Sequence, residues 1–235
     1  MKPSTAGPPA MIIAIDGPAA AGKGTLAARL ARHFRLPYLD TGLLYRAVGK
    51  RVADRGGNPD DPEDSRVAAE TLASSELDDP TLRGHEAGEL ASRVAVHPEV
   101  RSALLAFQRA FAHQPGGAVL DGRDIGTAVV PDADIKIYVT ATAEVRAERR
   151  TGELLAKGRD VAYDKILAEI TARDARDQGR ASAPLAIARD AVILDTSTLD
   201  ADAVFARAVS IVEAVRDKRA DRHDAAPVSP GSVFR

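Results

Sequence analysis

The chain has no cysteine, so disulfides, thiolate metal sites and catalysis by a thiol are excluded. Neither sign of charge dominates: 32 lysines and arginines against 34 aspartates and glutamates leave a formal net charge of −2. General binders of polyanions are ordinarily strongly basic, which argues against a nucleic-acid partner. Any phosphate must then be met by locally clustered arginines. No apolar run approaches the roughly 20 residues of a membrane span. The five histidines, His33, His85, His97, His113 and His223, lack metal-ligand spacing and read as surface residues. No order of residues suggests a serine–histidine–acid arrangement, and no heptad or apolar stripe demands self-association, so a monomer is expected. Residues 1–10 lack the apolar core of a signal peptide and read as a flexible leader. From Asp217 the chain is polar, with Pro227, Pro230 and Gly231, and residues 217–235 read as a flexible tail. A cytoplasmic location follows as the expectation. With 45% hydrophobic and 28% charged residues, the 235-residue chain has an ordinary globular composition and room for one substantial core, a single domain over 11–216.

What is present is organised around Gly17-Pro18-Ala19-Ala20-Ala21-Gly22-Lys23-Gly24-Thr25. The stretch follows the apolar run Met11 to Ile15 and precedes Leu26, Leu30 and Phe34 at helical spacing. Strand, glycine loop and helix in that order suit a phosphate-binding P-loop. Glycines let the backbone pass close to the anion, the helix presents unpaired N–H groups and its positive dipole end, and the lysine adds a point charge. Gly24 stands where a serine or threonine ordinarily ligates Mg²⁺, and the hydroxyl arrives one residue later at Thr25. Nothing here matches the Asn-Lys-x-Asp motif that a guanine-nucleotide switch would need.

Further strands are expected at Leu36 to Leu39, Ala118 to Leu120, Ile135 to Val139 and Ala191 to Leu194, alternating with helices. Asp40 or Thr41 is positioned to cap the second helix, which carries Leu44, Val48 and Val52 inward and leaves Tyr45 and Arg46 off that stripe. Residues 60–113 read as helices only. There, Pro98 suits a first helical position, and Val100, Leu104, Phe107 and Phe111 recur at helical spacing. The interval 151–163 is polar and rich in breakers. Alternation of this kind gives an α/β fold with a mostly parallel, five-stranded sheet. Ligands in such folds gather at the carboxyl ends of strands, where Asp16, Asp40-Thr41, Asp121 to Asp124 and Asp195 to Ser197 all fall.

Phosphoryl transfer depends on positioning and charge neutralisation, and the expected rim is rich in cations: Lys23, Arg46, Arg123, Arg146, Arg149, Arg150, Arg173 and Arg180. Arginines on helices read equally as solvated side chains. Arg123, in a glycine-containing turn after a buried strand, points to function. Asp121, ending an apolar strand, is placed either to hold a metal-bound water or to cap the following turn. The lack of an obvious general base favours an acceptor that is already anionic, such as a phosphate monoester, over an alcohol.

Several separated motifs resemble the bacterial cytidylate kinases, within the nucleoside monophosphate kinase family. They are Ile15-Asp16-Gly17-Pro18 with the P-loop, Leu39-Asp40-Thr41-Gly42 with Tyr45-Arg46, and Asp121-Gly122-Arg123-Asp124-Ile125-Gly126-Thr127. Later in the chain come Pro131 to Asp134, Arg173-Asp174-x-Arg176-Asp177 with Arg180, Ala183-Pro184-Leu185, and Asp195-Thr196-Ser197. The resemblance implies a three-layer P-loop kinase fold with a helical monophosphate-binding lobe near 60–113 and a short lid near 151–163. It implies transfer of a phosphate from Mg·ATP to CMP, and to dCMP. Gly17 to Thr25 would bind ATP. Thr25 would hold Mg²⁺, with Asp121 acting through water. Arg46, Arg123 and Arg180 would meet the acceptor phosphate, Arg173 and Asp177 the sugar, and Thr41, Tyr45, Ser92, Arg101 and Asp124 the cytosine. On the residues alone, Ser92 and Arg101 are ordinary helix-surface positions. Arg146, Arg149, Arg150 and Arg159 would supply the lid arginines. A kinase for UMP, AMP or shikimate, or a P-loop ATPase that is not a kinase, is the competing reading.

Overall fold

A computed structural model describes residues 10–224. Residues 1–9 of the expected leader and 225–235 of the expected tail lie outside the described residues. Five strands, β1 (Met11–Asp16), β2 (Tyr38–Asp40), β3 (Gly117–Gly122), β4 (Ile135–Thr140) and β5 (Val192–Asp195), form one sheet in the order β2-β3-β1-β4-β5. Every pairing is parallel, so the sheet is uniformly rather than mostly parallel. The register aligns Asp40 with Asp121 and Thr140 with Asp195, which brings the strand-end acids to one rim.

The period of two along β1 explains why it occupies the centre. Ile13 and Ile15 face α1 (Lys23–Phe34) and α8 (Ala201–Asp224), packing with Leu30, Ile137, Val139, Ala208 and Val212. Ile12 and Ala14 face the other way, against Leu120, Ala112 and the turn at Val129 and Val130. Three layers result. Ile13, Ile15 and Leu30 are fully buried, each worth about 1.5–3 kcal/mol of transfer free energy.

A second core lies beyond the sheet. Leu44, Val48 and Val52 of α2 (Thr41–Asp54) meet Ala68 and Ala69 of α3 (Pro62–Glu70), Ala91 and Val94 of α4 (His85–Val94), and Val100 and Leu104 of α5 (Pro98–Ala112). The stretch 60–113 thus contains helices and two short 3-10 turns, Ser74–Asp78 and Pro80–Arg83, and no strand among its described residues. Helices α2 and α4 approach closely at Gly49, where a Cβ would stand 2.7 Å from the Leu90 Cβ and 2.8 Å from its carbonyl carbon. Gly49→Ala is therefore expected to force the two helices apart and to cost about 1–3 kcal/mol, despite alanine's better helix propensity. Denaturant unfolding checks this, and an unchanged or raised midpoint would contradict it.

The remaining pair, α6 (Ala143–Ala156) and α7 (Tyr163–Gly179), packs through Ala147, Leu154, Ile166 and Ile170.

Some expectations need correction. Phe107 is 42% exposed although it shares a helical stripe with buried Val100 and Leu104. His97 is buried, its Nε2 lying 3.0 Å from the Pro59 carbonyl oxygen. Helix α6 runs through Gly152 to Ala156, so the irregular connection is 157–162 rather than 151–163. Helix α8 continues to Asp224, past the point where a flexible tail was expected to begin. Asp40 occupies the N-cap of α2 without a side-chain capping bond, and Thr41 Oγ1 donates instead to the Asp121 carbonyl at 2.8 Å.

Candidate active site

A cleft of about 670 Å³ opens over the strand ends, between α2 and α4 on one side and α6 and α7 on the other. It is lined by ten lysine and arginine side chains and seven carboxylates, in a chain whose net charge is −2. Ala19 to Thr25, Thr41, Tyr45, Arg46, Ser92, Arg101, Asp121, Arg123, Asp124, Arg149, Arg150, Arg173, Asp177 and Arg180 all line it. Gly17 and Pro18 lie buried beneath the loop and shape it from below. Gly17 has φ of +146°, and a Cβ there would stand 1.9 Å from the Val139 carbonyl oxygen, so no other residue fits. Arg146 and Arg159 are not in the lining. Arg146 braces the loop from behind, donating to the carbonyls of Ala141 (3.0 Å) and Ala19 (3.1 Å) and pairing with Asp174 (2.5 Å).

On the loop side, Lys23 is buried and its ammonium donates to the Pro18 carbonyl at 2.7 Å. Burial and the nearby Arg123 charge lower its pKa to about 7. An ammonium carries three N–H donors, so two remain for a ligand. Thr25 is exposed at the foot of the loop. Asp121 is buried with its pKa raised to about 6, first by desolvation and then by Asp40. Its Oδ1 accepts from the Tyr38 hydroxyl at 2.9 Å, and its Oδ2 lies toward Gly24, 3.8 Å from where a Cβ would be. The same Cβ would be 3.6 Å from the Tyr38 hydroxyl. Both are ordinary contact distances, so the structure leaves room for a Cβ at position 24 and does not explain the glycine there. An exposed threonine hydroxyl and a carboxylate are oxygen donors of the kind a hard Mg²⁺ ion takes while keeping most of its waters. Among the described residues no group of three or more histidines and carboxylates could hold a metal without help, so the donor set suits an ion that arrives with phosphates.

Across the cleft, Arg123 Nε donates to Asp177 Oδ2 at 2.8 Å. Burial opposes the charge of Asp177, but Arg123, Arg173 and Arg180 overcome it and hold the carboxyl below its usual range. Arg101 and Asp124 form an ion pair in which both side chains are less than 10% exposed, with the Tyr45 ring centroid 5.7 Å from the guanidinium. Burial raises the Asp124 pKa against the lowering effect of Arg101, Arg180 and Arg123. Burial, with Arg123 beside it, lowers Arg173 to about 10.

Four buried nitrogens in this lining, Arg46 Nε, Arg101 Nη1, Arg173 Nε and Arg180 Nε, have no hydrogen-bond partner among the described residues. The wall they belong to gathers the guanidinium groups of Arg46, Arg101, Arg123, Arg173 and Arg180, a concentration of cations that suits an anionic ligand. Arg149 is engaged with Thr196, to Oγ1 at 3.0 Å and the carbonyl at 2.6 Å, and Arg150 with Glu153 at 3.1 Å. Ser92 Oγ accepts from Arg176 Nε at 3.1 Å, and Arg176 also pairs with Glu89 at 2.8 Å, bridging α4 and α7. Tyr38 and Glu89 carry contacts at or beside the site that no local pattern in the sequence announces, while Asp16 and Arg176 fall within motifs that gave them no role of their own.

A glycine loop with its lysine at the rim of an all-parallel sheet between helical layers, faced by a guanidinium-lined half, defines a P-loop kinase fold. Residues 13–214 match the cytidylate kinase family, and the chain belongs to that family. A protein of Xanthobacter autotrophicus bearing the name cytidylate kinase is 59% identical over 209 residues, covering 89% of this chain and all of the relative. Those of Caulobacter sp. strain K31 and Methylocella silvestris are 56% and 55% identical, over 88% and 92% of this chain and 96% and 100% of their own lengths. The crystal structure of an uncharacterized protein from Eubacterium ventriosum superposes with a TM-score of 0.53 at 14% identity, covering 86% of this chain and 98% of that one, a likeness of fold alone.

Proposed function

We propose that this cleft carries out the cytidylate kinase reaction, ATP and CMP giving ADP and CDP, with dCMP as a second acceptor. The arginines gathered across the cleft from the P-loop, Arg46, Arg123, Arg173 and Arg180, carry the reading, because their clustered charge suits a second anion facing the donor phosphates. An oxygen of the acceptor phosphate attacks the γ-phosphorus in line, and the bond from that phosphorus to the β–γ bridging oxygen breaks, its electron pair leaving with ADP. The acceptor phosphate is largely dianionic near neutral pH and needs no base. Lys23 and the amides of residues 19–25 neutralise the donor phosphates. Arg46, Arg123 and Arg180 grip the acceptor phosphate, with Asp177 holding Arg123 in aim. Arg173 and Asp177 approach the sugar, while Thr41, Tyr45, Ser92, Arg101 and Asp124 surround the base. Thr25, and Asp121 through water, would hold Mg²⁺, whose charge stabilises the donor phosphates when bound.

The second core at 60–113 acts as the monophosphate-binding lobe, and the connection 157–162 with the ends of α6 and α7 acts as the lid. Arg149 and Arg150 then exchange Thr196 and Glu153 for the transferred group as the lid closes and excludes water. A monomer is the proposed state, and no described helix is long and apolar enough to cross a membrane. A cytoplasmic enzyme of small-molecule nucleotide metabolism, with no nucleic-acid partner, fits that reading.

A coupled assay for ADP with CMP, dCMP, UMP and AMP at one Mg·ATP concentration tests the assignment. CMP and dCMP should exceed UMP and AMP in kcat/KM by at least about 10-fold. Equal ADP release without any acceptor would make the protein an ATPase and overturn it.

A further inference from the structure

Asp16 has no part in the division of labour above, yet it is among the most deeply buried charged side chains, 5% exposed at the end of β1. Its Oδ1 accepts from the Ile125 N–H at 2.8 Å and its Oδ2 from the Gly126 N–H at 2.8 Å, partners 109 and 110 residues away. Those two amides directly follow Arg123 and Asp124 and open the π turn Ile125–Val129. The first N–H groups of a helical turn have no partner within it. Asp124 stands at the capping position but makes no side-chain cap there, because its carboxylate is paired with Arg101. Asp16 supplies from another strand the acceptors that the local cap does not.

A carboxylate suits this task for a plain reason. It is the short side chain with two acceptor oxygens and no donor, whereas asparagine would turn an NH₂ group toward one of the amides. Keeping it there is costly. Desolvation raises its pKa to about 6, offset only in part by the two amide bonds and by Lys23. The turn is gripped from the other side as well. A Cβ at Gly126 would stand 3.1 Å from Lys136 Cδ and 3.4 Å from Asp16 Oδ2, and the Lys136 ammonium is tied to the Pro131 carbonyl at 2.6 Å and to Asp190 at 2.9 Å.

We propose that Asp16 is a positioning residue, whose carboxylate fixes the backbone at Ile125 and Gly126 and so aims Arg123 and Asp124 at the acceptor nucleotide. The inference rests on the acceptor role assigned to those two residues. Its effect falls on the acceptor half because the donor loop is held by other bonds, Lys23 to the Pro18 carbonyl and Arg146 to that of Ala19. The backbone of Asp16 itself is held in register with Gly122 and Tyr138 on both sides, whatever its side chain does.

Calorimetric binding of CMP and of a non-hydrolysable ATP analogue, measured separately on unaltered protein and on Asp16→Asn, tests the proposal. CMP affinity should fall about 10-fold or more while that for the ATP analogue stays within about 2-fold, and the kcat/KM preference for CMP over UMP should shrink. A purely structural role would lower the melting temperature and leave both affinities of the folded protein alone, and that result overturns the proposal. Equal weakening of both ligands also overturns it, since it would make Asp16 part of the donor loop. Should Asp16→Asn not fold, Gly126→Ala decides on the same two readouts, because it displaces the turn with the carboxylate kept. Failure of the unaltered protein to bind CMP would instead overturn the reading of the cleft.

Discussion

Lys23→Ala is expected to lower kcat at least about 100-fold in a coupled ADP assay with CMP as acceptor. The ammonium lies at the base of the P-loop, donating once to Pro18 and keeping two N–H groups for the donor phosphates. Negative charge on the β–γ bridging oxygen grows as the bond breaks, so an interaction with it strengthens in the transition state and shows in kcat more than in KM. No neighbour can replace it. Arg146 is committed to Asp174 and the loop backbone, and Arg123 is paired with Asp177 on the opposite side. Stability separates this loss from misfolding. Burial, with the Arg123 charge beside it, penalises the charged lysine and lowers its pKa, so alanine removes a desolvation cost together with one hydrogen bond. The melting temperature should stay level or rise. Activity above about a tenth of the unaltered value would defeat the assignment, as would a fall in melting temperature large enough to explain the lost turnover.

Local patterns made much of this legible, and the misses share one physical origin. The apolar runs of β1, β3 and β4 are buried, and the stripe Leu44, Val48, Val52 enters the second core, because periodicity records which face a segment buries. Every side chain assigned to the base, sugar and acceptor phosphate lines one cleft, since the strand-end motifs converge on one rim in an all-parallel sheet. What failed was whatever depends on a distant partner. His97 looks like a polar residue at a helix break, yet it is buried with the Pro59 carbonyl, 38 residues away, as its hydrogen-bond partner. Ser92 looks free on α4 until Arg176, 84 residues on, reaches it. Gly152 reads as a breaker, but a mid-helix glycine costs only about 1 kcal/mol, and α6 offsets that through Ala147 and Leu154 packed on α7. Phe107 keeps helical spacing with Val100 and Leu104 yet drifts off the buried face, because the fold supplies no surface to cover it.

Asp124→Asn is expected to reduce the kcat/KM preference for CMP over UMP by roughly 10- to 100-fold, the worth of one charge-assisted hydrogen bond at about 1.5–3 kcal/mol. Cytosine presents an N4 amine and an unprotonated N3. Uracil presents an O4 carbonyl and an N3–H. In the proposed role the carboxylate would accept from the amine and repel O4, and Arg101 beside it would donate to N3 or O2. Asparagine offers a donor as well as an acceptor, so it can turn its NH₂ to O4, and UMP should gain in absolute terms while CMP loses. That gain is the decisive readout, because mere destabilisation cannot improve turnover of the poorer substrate. A stability loss should accompany it. Breaking a buried pair leaves the Arg101 charge unbalanced at a cost of about 3–5 kcal/mol. Asparagine still accepts one bond and the pair borders an open cleft, so the loss should lie at the low end of that range. If the ratio of kcat/KM for CMP and UMP stays unchanged while the melting temperature falls, Asp124 serves only to neutralise Arg101. The choice of base would then belong to the other side chains around it, Thr41, Tyr45 and Ser92.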